Sequence, residues 1–202
     1  EIEVAYGGRL ERIQGASEEA LSNVLQRLVS RPQIWVAAVT GHGERDPLGQ
    51  ANHDLGSFGA ELRRKGFPVQ PLNLAATRSI PDNARILLLA GPSAPLLEGE
   101  LDLIRDFLER GGNLLWLSEP GPQQGLELLL DDLGLRLLPG LVVDANAGGL
   151  GLDDPSFALV TTYPAHPITE GLSSLSLYPK AAALEATGQG GWQAVSLLPT
   201  LE

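Results

Sequence analysis

Apolar positions along the chain follow two alternating rhythms. Ile34-Trp35-Val36-Ala37-Ala38-Val39 is a continuous apolar run bounded by Pro32 and Gly41, the pattern of a short strand buried on both faces. Before it, Ser17 reads as an N-cap, Glu18 and Glu19 sit in a first turn, and Leu21, Val24, Leu25 and Leu28 form a stripe, which predicts a helix over 17–30 stopped by Pro32. After it, Ala51, Leu55, Phe58 and Leu62 recur at helical spacing within 50–65, and Gly66 follows as a stop. The strand rhythm returns over 69–74 and 85–90, the second run ending in Gly91-Pro92. Leu97, Leu101, Ile104 and Leu108 then line one face of a helix closed by Gly111-Gly112, with Glu98, Asp102, Arg105, Asp106 and Glu109 on its other face. A fourth strand over 113–117, a helix carrying Leu126, Leu129, Leu130 and Leu133 before Gly134, and a fifth strand at Leu141-Val142-Val143 complete the series.

Strands alternating with helical patterns imply βαβ units, and therefore an α/β fold: a parallel sheet with helices on both faces and right-handed crossovers. Beyond Asp144 the rhythm weakens. Residues 145–152 are Gly-rich, 157–162 and 177–183 read as added strands, and 188–191 as a turn before Trp192.

In an open parallel sheet, ligands bind beyond the carboxyl ends of the strands. Three segments qualify. Thr40-Gly41-His42-Gly43-Glu44 sets an imidazole and a carboxylate on a glycine-flanked loop, so His42 and Glu44 are candidates for ligand or partner contact, for an acid/base pair, or for a plain satisfied turn. With three His in the chain and no spacing that supplies a third ligand, a metal site is not expected. Gly91-Pro92-Ser93 occupies the place of a nucleophile elbow, but Pro92 and the missing G-x-S-x-G argue against a catalytic Ser93. Ser118-Glu119-Pro120 offers Glu119, read either as a loop or capping residue or as a partner of His42. Further on, Tyr163-Pro164-Ala165-His166-Pro167 continues into Ile168-Thr169-Glu170-Gly171-Leu172. Pro167 holds His166 extended and Gly171 stops a single turn, so His166 sits in a rigid clasp and is a weaker binding candidate.

Composition narrows the classes. Among 202 residues there are 14 Lys+Arg against 25 Asp+Glu, a formal charge of −11, which excludes a protein that wraps nucleic acid. The chain has no Cys, which removes disulfides, thiolate nucleophiles and zinc-thiolate or Fe–S sites. Neither G-x-x-x-x-G-K-[ST] nor G-x-G-x-x-G follows the first strand of the sheet, and H-E-x-x-H is absent, so no cofactor is expected. No apolar run reaches the ~18 residues of a membrane span. The lack of Met, even at position 1, and the terminal Leu201-Glu202 lead us to expect a piece of a longer protein.

Taken in succession, the motifs resemble the soluble domain of the gliding-motility-type (GldG-like) auxiliary component of ABC transport systems. The carriers are Tyr6-Gly7-Gly8-Arg9, the segment from Ser17 to Asn23, and Thr40-Gly41-His42-Gly43-Glu44-Arg45. They continue through Leu72-Asn73-Leu74, Ile80-Pro81-Asp82 and Leu89-Ala90-Gly91-Pro92 with Pro95-Leu96-Leu97. Leu108-Glu109-Arg110-Gly111-Gly112, His166-Pro167-Ile168-Thr169 and Gly171-Leu172 complete the set. The resemblance implies a flavodoxin-like sheet similar to that of class I glutamine amidotransferases, whose Cys nucleophile this chain lacks. It further implies one extracytoplasmic (periplasmic) domain over 1–202, with a core over about 31–144 and an extension over about 145–200, held at the inner membrane by segments outside this stretch. Its partners are then an ABC permease and ATPase, and no catalytic residue carries over. The expected function is a non-catalytic binding or assembly domain working through the face around His42, Glu44 and Glu119. The alternatives are a hydrolase acting on a carbohydrate or ester with His42 as base, and a flavodoxin-like ligand sensor.

Overall fold

Trp35–Thr40 forms the strand at the centre of the fold, and alternate residues on it serve two cores. The computed structural model describes residues 2–6, 9–13, 17–18, 21–22, 24–25, 34–145, 147–151 and 153–199. In chain order the elements begin with β1 (Ile2–Tyr6), β2 (Arg9–Ile13), β3 (Trp35–Thr40), α1 (Gly56–Arg64) and β4 (Val69–Asn73). They continue with β5 (Ala84–Ala90), α2 (Glu98–Glu109), β6 (Asn113–Leu117), α3 (Glu127–Asp132) and β7 (Leu135–Leu137). The last are β8 (Phe157–Val160), β9 (Ser176–Pro179) and β10 (Leu184–Ala186). Single 3-10 turns lie at Leu74–Ala76 and Ala147–Leu150.

β4, β3, β5 and β6 form a four-stranded sheet in that order, with every pair parallel. This is the flavodoxin-like arrangement with helices on both faces. Trp35, Ala37 and Val39 pack with Leu87, Leu89 and the Leu101, Ile104 and Phe107 stripe of α2. Val36 and Ala38 turn to the other face, where Leu88, Val69 and the partly buried Leu55 and Leu62 cover them. Both faces of β3 are covered, which is why its sequence is continuously apolar rather than alternating.

The structure trims some predicted elements and replaces one. The helix expected over 50–65 begins only at Gly56, because carboxylates take the preceding amides into a loop. Asp46 Oδ1 accepts from Leu48 N–H (2.7 Å) and Asp54 Oδ2 from Ala51 N–H (2.8 Å), side-chain turns that compete with a helical ladder. At the end of α2, Gly112 N–H donates to Phe107 O and Gly111 N–H to Leu108 O, both at 2.9 Å, with Gly111 at φ +84. This paired arrangement is the Schellman closure that a Gly-Gly pair after a helix suggests. Leu141-Val142-Val143 is not a strand: Val142 N–H donates singly to Ala181 O (2.8 Å), and β7 instead pairs antiparallel with β10. The added strands do form, as the antiparallel pair β8–β9. The antiparallel pair β1–β2, with Tyr6 opposite Arg9, is an addition to the predicted elements. The helix expected over 17–30 lies partly outside the described residues; Glu18, Leu21, Ser22, Val24 and Leu25 are helical, and Leu21 N–H donates to Ser17 O.

Candidate functional site

The chain leaves β3 to form β4 on one side and returns to form β5 on the other, so the switch point of the sheet lies at the carboxyl ends of β3 and β5. There the strand-end crevice of a parallel sheet opens. Three loops meet at it. Arg45 N–H donates to Ala90 O (2.9 Å) and Gly91 N–H to Leu117 O (2.8 Å), so the loops after β3, β5 and β6 are stitched in series. Ser93 N–H (2.8 Å) and Ala94 N–H (2.9 Å) both donate to His42 O. Gly43 at φ +75 allows that close approach, since a Cβ there would lie 2.1 Å from Ser93 Oγ.

The imidazole of His42 lies between two carboxylates. Nδ1 is 3.3 Å from Glu44 Oε1, and Nε2 is 3.0 Å from Glu100 Oε2. Both carboxylate side chains are only 3% exposed and the imidazole 11%, so the trio is sealed from solvent. Backbone amides complete it: Glu44 Oε2 accepts from His42 N–H (2.8 Å), and Glu100 Oε2 from Leu97 N–H (2.7 Å). Leu97 is the N-cap of α2 and has no side-chain acceptor to offer, so only the Glu100 half of a capping box exists. The positive end of the α2 dipole further favours a carboxylate at that position. Glu100 Oε1 has no partner among the described residues.

This arrangement closes on itself. Both ring nitrogens of His42 face carboxylate oxygens, Nδ1 that of Glu44 and Nε2 that of Glu100. The two carboxylates approach opposite edges of the ring, so they do not converge with it on a common point, and no cluster among the described residues is arranged to hold a metal ion. Ser93 Oγ lies 3.2 Å from His42 O and donates there rather than to the ring.

Of the residues singled out in the sequence, His42 and Glu44 meet directly. Glu119 does not reach His42; it pairs with Arg45, and this half-exposed pair forms the outer rim of the same face. Gln123 secures the Glu119 loop from below, its Nε2 donating to Glu119 O (3.0 Å) and Gly121 O (2.7 Å). His166 stands apart in its clasp, where Nδ1 accepts from Ile168 N–H (3.2 Å) and Thr169 Oγ1 donates to Pro164 O (2.6 Å). Glu100 and Arg45 join the site although neither is among the candidates read from the sequence. A signal for Glu100 was present: it stands three residues after Leu97 and four before Ile104, a carboxylate on the apolar stripe of α2.

The family model described as "ABC-type uncharacterized transport system" matches residues 34–201. Among solved structures, one titled "mmIFT52 N-terminal domain" is similar at a TM-score of 0.60 and 19% identity, covering 74% of this chain and 72% of that one, which bears on the fold alone. No curated protein matches the chain.

Proposed function

The chain belongs to the ABC-type uncharacterized transport system family, as an auxiliary component, and on that premise we propose that this domain is a non-catalytic binding or assembly module. The observation that carries the proposal is the closure of the His42 site. The imidazole, Glu44 and Glu100 Oε2 are committed to one another and to backbone amides, Glu100 Oε1 is buried without a partner among the described residues, and Ser93 Oγ donates to a backbone carbonyl rather than to the ring, an arrangement that favours a structural over a catalytic role. What the strand-end face offers outward is the Arg45–Glu119 pair and the loop backbone around it, groups suited to a docking contact. The sequence motifs from Tyr6 to Leu172 favour the gliding-motility type within this family. In this reading the domain stands on the periplasmic side of the inner membrane beside the permease and ATPase of the system. No helix among the described residues is long and apolar enough to cross the membrane, so the anchoring belongs to segments outside them. A charge of −11 keeps such a domain off an anionic lipid surface.

Arg45→Glu in the intact transport system tests the proposal, because it changes the rim while leaving the buried trio in place. The variant is expected to fold as the parent does and to lose co-purification with the permease or to reduce transport. Wild-type assembly and transport in Arg45→Glu would rule out this face as the contact. A hydrolytic turnover abolished by His42→Ala would overturn the non-catalytic reading.

A further inference from the structure

The central sheet ends at β6, whose outer edge no described strand covers. Along that edge runs a cavity of about 580 Å³, lined by each of residues 113–116 in succession. Successive side chains of a strand point to opposite faces. A cavity that meets four consecutive residues therefore reaches the hydrogen-bonding edge, and Leu108, Leu130 and Leu133 close it on the helix-covered face. Its far wall is the hairpin-like pair β7–β10, represented by Leu135, Leu137 and Leu184. A right-handed crossover through α3 ordinarily returns the next strand beside the one before it. Here β7 pairs with β10 instead, and among the described residues no hydrogen bond joins either of them to β6. The slot stands where that neighbouring strand would run.

A slot walled by leucines on one side and by an unpaired strand edge on the other matches an extended peptide. Main-chain hydrogen bonds supply affinity and alternate side chains supply specificity. Charge identifies which peptide. Glu119, at the C-terminal end of β6, is the one charged residue lining the cavity, and its Oε2 has no partner among the described residues. The chain carries −11, so a second copy or an acidic segment is repelled and a basic one is drawn in. We infer that this slot is a strand-addition site for an extended segment of a partner protein, with alternating apolar side chains and a lysine or arginine opposite Glu119. Five residues of β6 at about 3.3 Å each set the length of the bound segment at about five residues, or roughly 17 Å. The strand addition rests on the sheet edge and its cavity and holds whether or not the rim docks the permease; the preference for a basic residue rests on Glu119, whose Oε1 the rim residue Arg45 engages.

Two of the three tryptophans, Trp116 and Trp192, line the slot, so binding reads directly in the fluorescence of the full chain. The probe is the peptide acetyl-Lys-Val-Thr-Val-Thr-Val-amide, with a glutamate-for-lysine version beside it. Saturable binding is expected together with amide exchange at residues 113–117 slowed about tenfold or more. The acidic version binds about fivefold more weakly, and Glu119→Lys reverses that order. Leu184 is well exposed, so Leu184→Arg fills the slot without disturbing the core and weakens the basic peptide about tenfold. Binding without protection of β6 overturns the inference in favour of a side-chain pocket. Protection of β6 that grows with protein concentration in the absence of peptide overturns it in favour of a second copy. No binding at millimolar peptide overturns it outright.

Discussion

His42, on the loop after β3, and Glu100, in the first turn of α2, hold Nε2 and Oε2 3.0 Å apart in a site closed to solvent. The contact ties the switch-point loop to the start of the helix that covers the larger core. Glu100 also satisfies Leu97 N–H (2.7 Å), so one side chain serves both the His42 ring and a helix cap. Removing the acceptor of a buried hydrogen bond is destabilising, because the donor left behind stays desolvated and unpaired. Glu100→Ala is therefore expected to cost about 1–3 kcal/mol in urea unfolding. Glu100→Gln keeps an acceptor for Leu97 N–H and costs less. Equal unfolding midpoints for the alanine variant and the parent would show that the trio holds nothing together.

Two glycines in helices make opposite predictions. Gly99, in α2, has open space where a Cβ would sit, so Gly99→Ala is expected to stabilise by about 0.5–1 kcal/mol through helix propensity. Gly59, in α1, faces the loop before it, and a Cβ there would lie 1.8 Å from the backbone oxygen of Pro47. A backbone atom cannot swing away as a side-chain tip can, so Gly59→Ala is expected to destabilise by about 1–3 kcal/mol despite the better propensity. Thermal unfolding of the two variants checks both signs, and stabilisation by Gly59→Ala would refute the close approach of helix and loop.

Asp154 titrates below the ordinary aspartate value, first because the Ser156 side chain hydrogen-bonds its carboxylate and then because Ser156 N–H does so at 2.9 Å. A carboxyl held lower in the folded state contributes stability above its unfolded value, and that contribution is lost as pH falls through the folded one. Since the group is fully exposed, solvent screens the effect, and the titration itself is the sharper readout. Ser156→Ala is expected to move the Asp154 midpoint, followed by carboxyl NMR, upward toward the ordinary value while the amide bond leaves part of the lowering in place. An unmoved midpoint would exclude the serine side chain as the cause.

Arg110 links the end of α2 to the loop before β5, reaching Asp82 Oδ1 (2.6 Å), Asp106 Oδ2 (2.9 Å) and Ile80 O (3.3 Å). Asp82 is almost wholly exposed, so its ion pair is screened by water and salt. Asp82→Ala is expected to cost below about 0.5 kcal/mol and to lose that effect at high salt. Arg110→Ala also strips a bond to a backbone carbonyl and costs more, about 1 kcal/mol. Chemical denaturation by urea at low and high salt separates the two; equal costs at both salt levels would assign the carbonyl bond the larger share.

Sequence periodicity by itself determined the α/β alternation, the strands β3, β4, β5 and β6, the helices α2 and α3 with the Gly-Gly stop of the first, the added strands β8 and β9, and the strand ends where His42 and Glu44 lie. Those features depend on a backbone repeat of two or of about 3.6 residues, which shows in any short window of sequence. The tertiary structure decided the rest. Leu141-Val142-Val143 has the composition of a strand, yet Val142 bonds singly to Ala181 because a strand exists only where a partner edge lies alongside, and β7 had already taken β10. The early residues of the predicted first crossover helix became a loop once Asp54 captured the Ala51 amide, continuing the turn that Asp46 makes with Leu48. In the site, Arg45 and not His42 pairs with Glu119, while Glu100 arrives from α2 to meet His42. Those pairings join residues far apart in sequence, brought together by how a right-handed crossover lays α2 over the sheet. No local repeat encodes that distance.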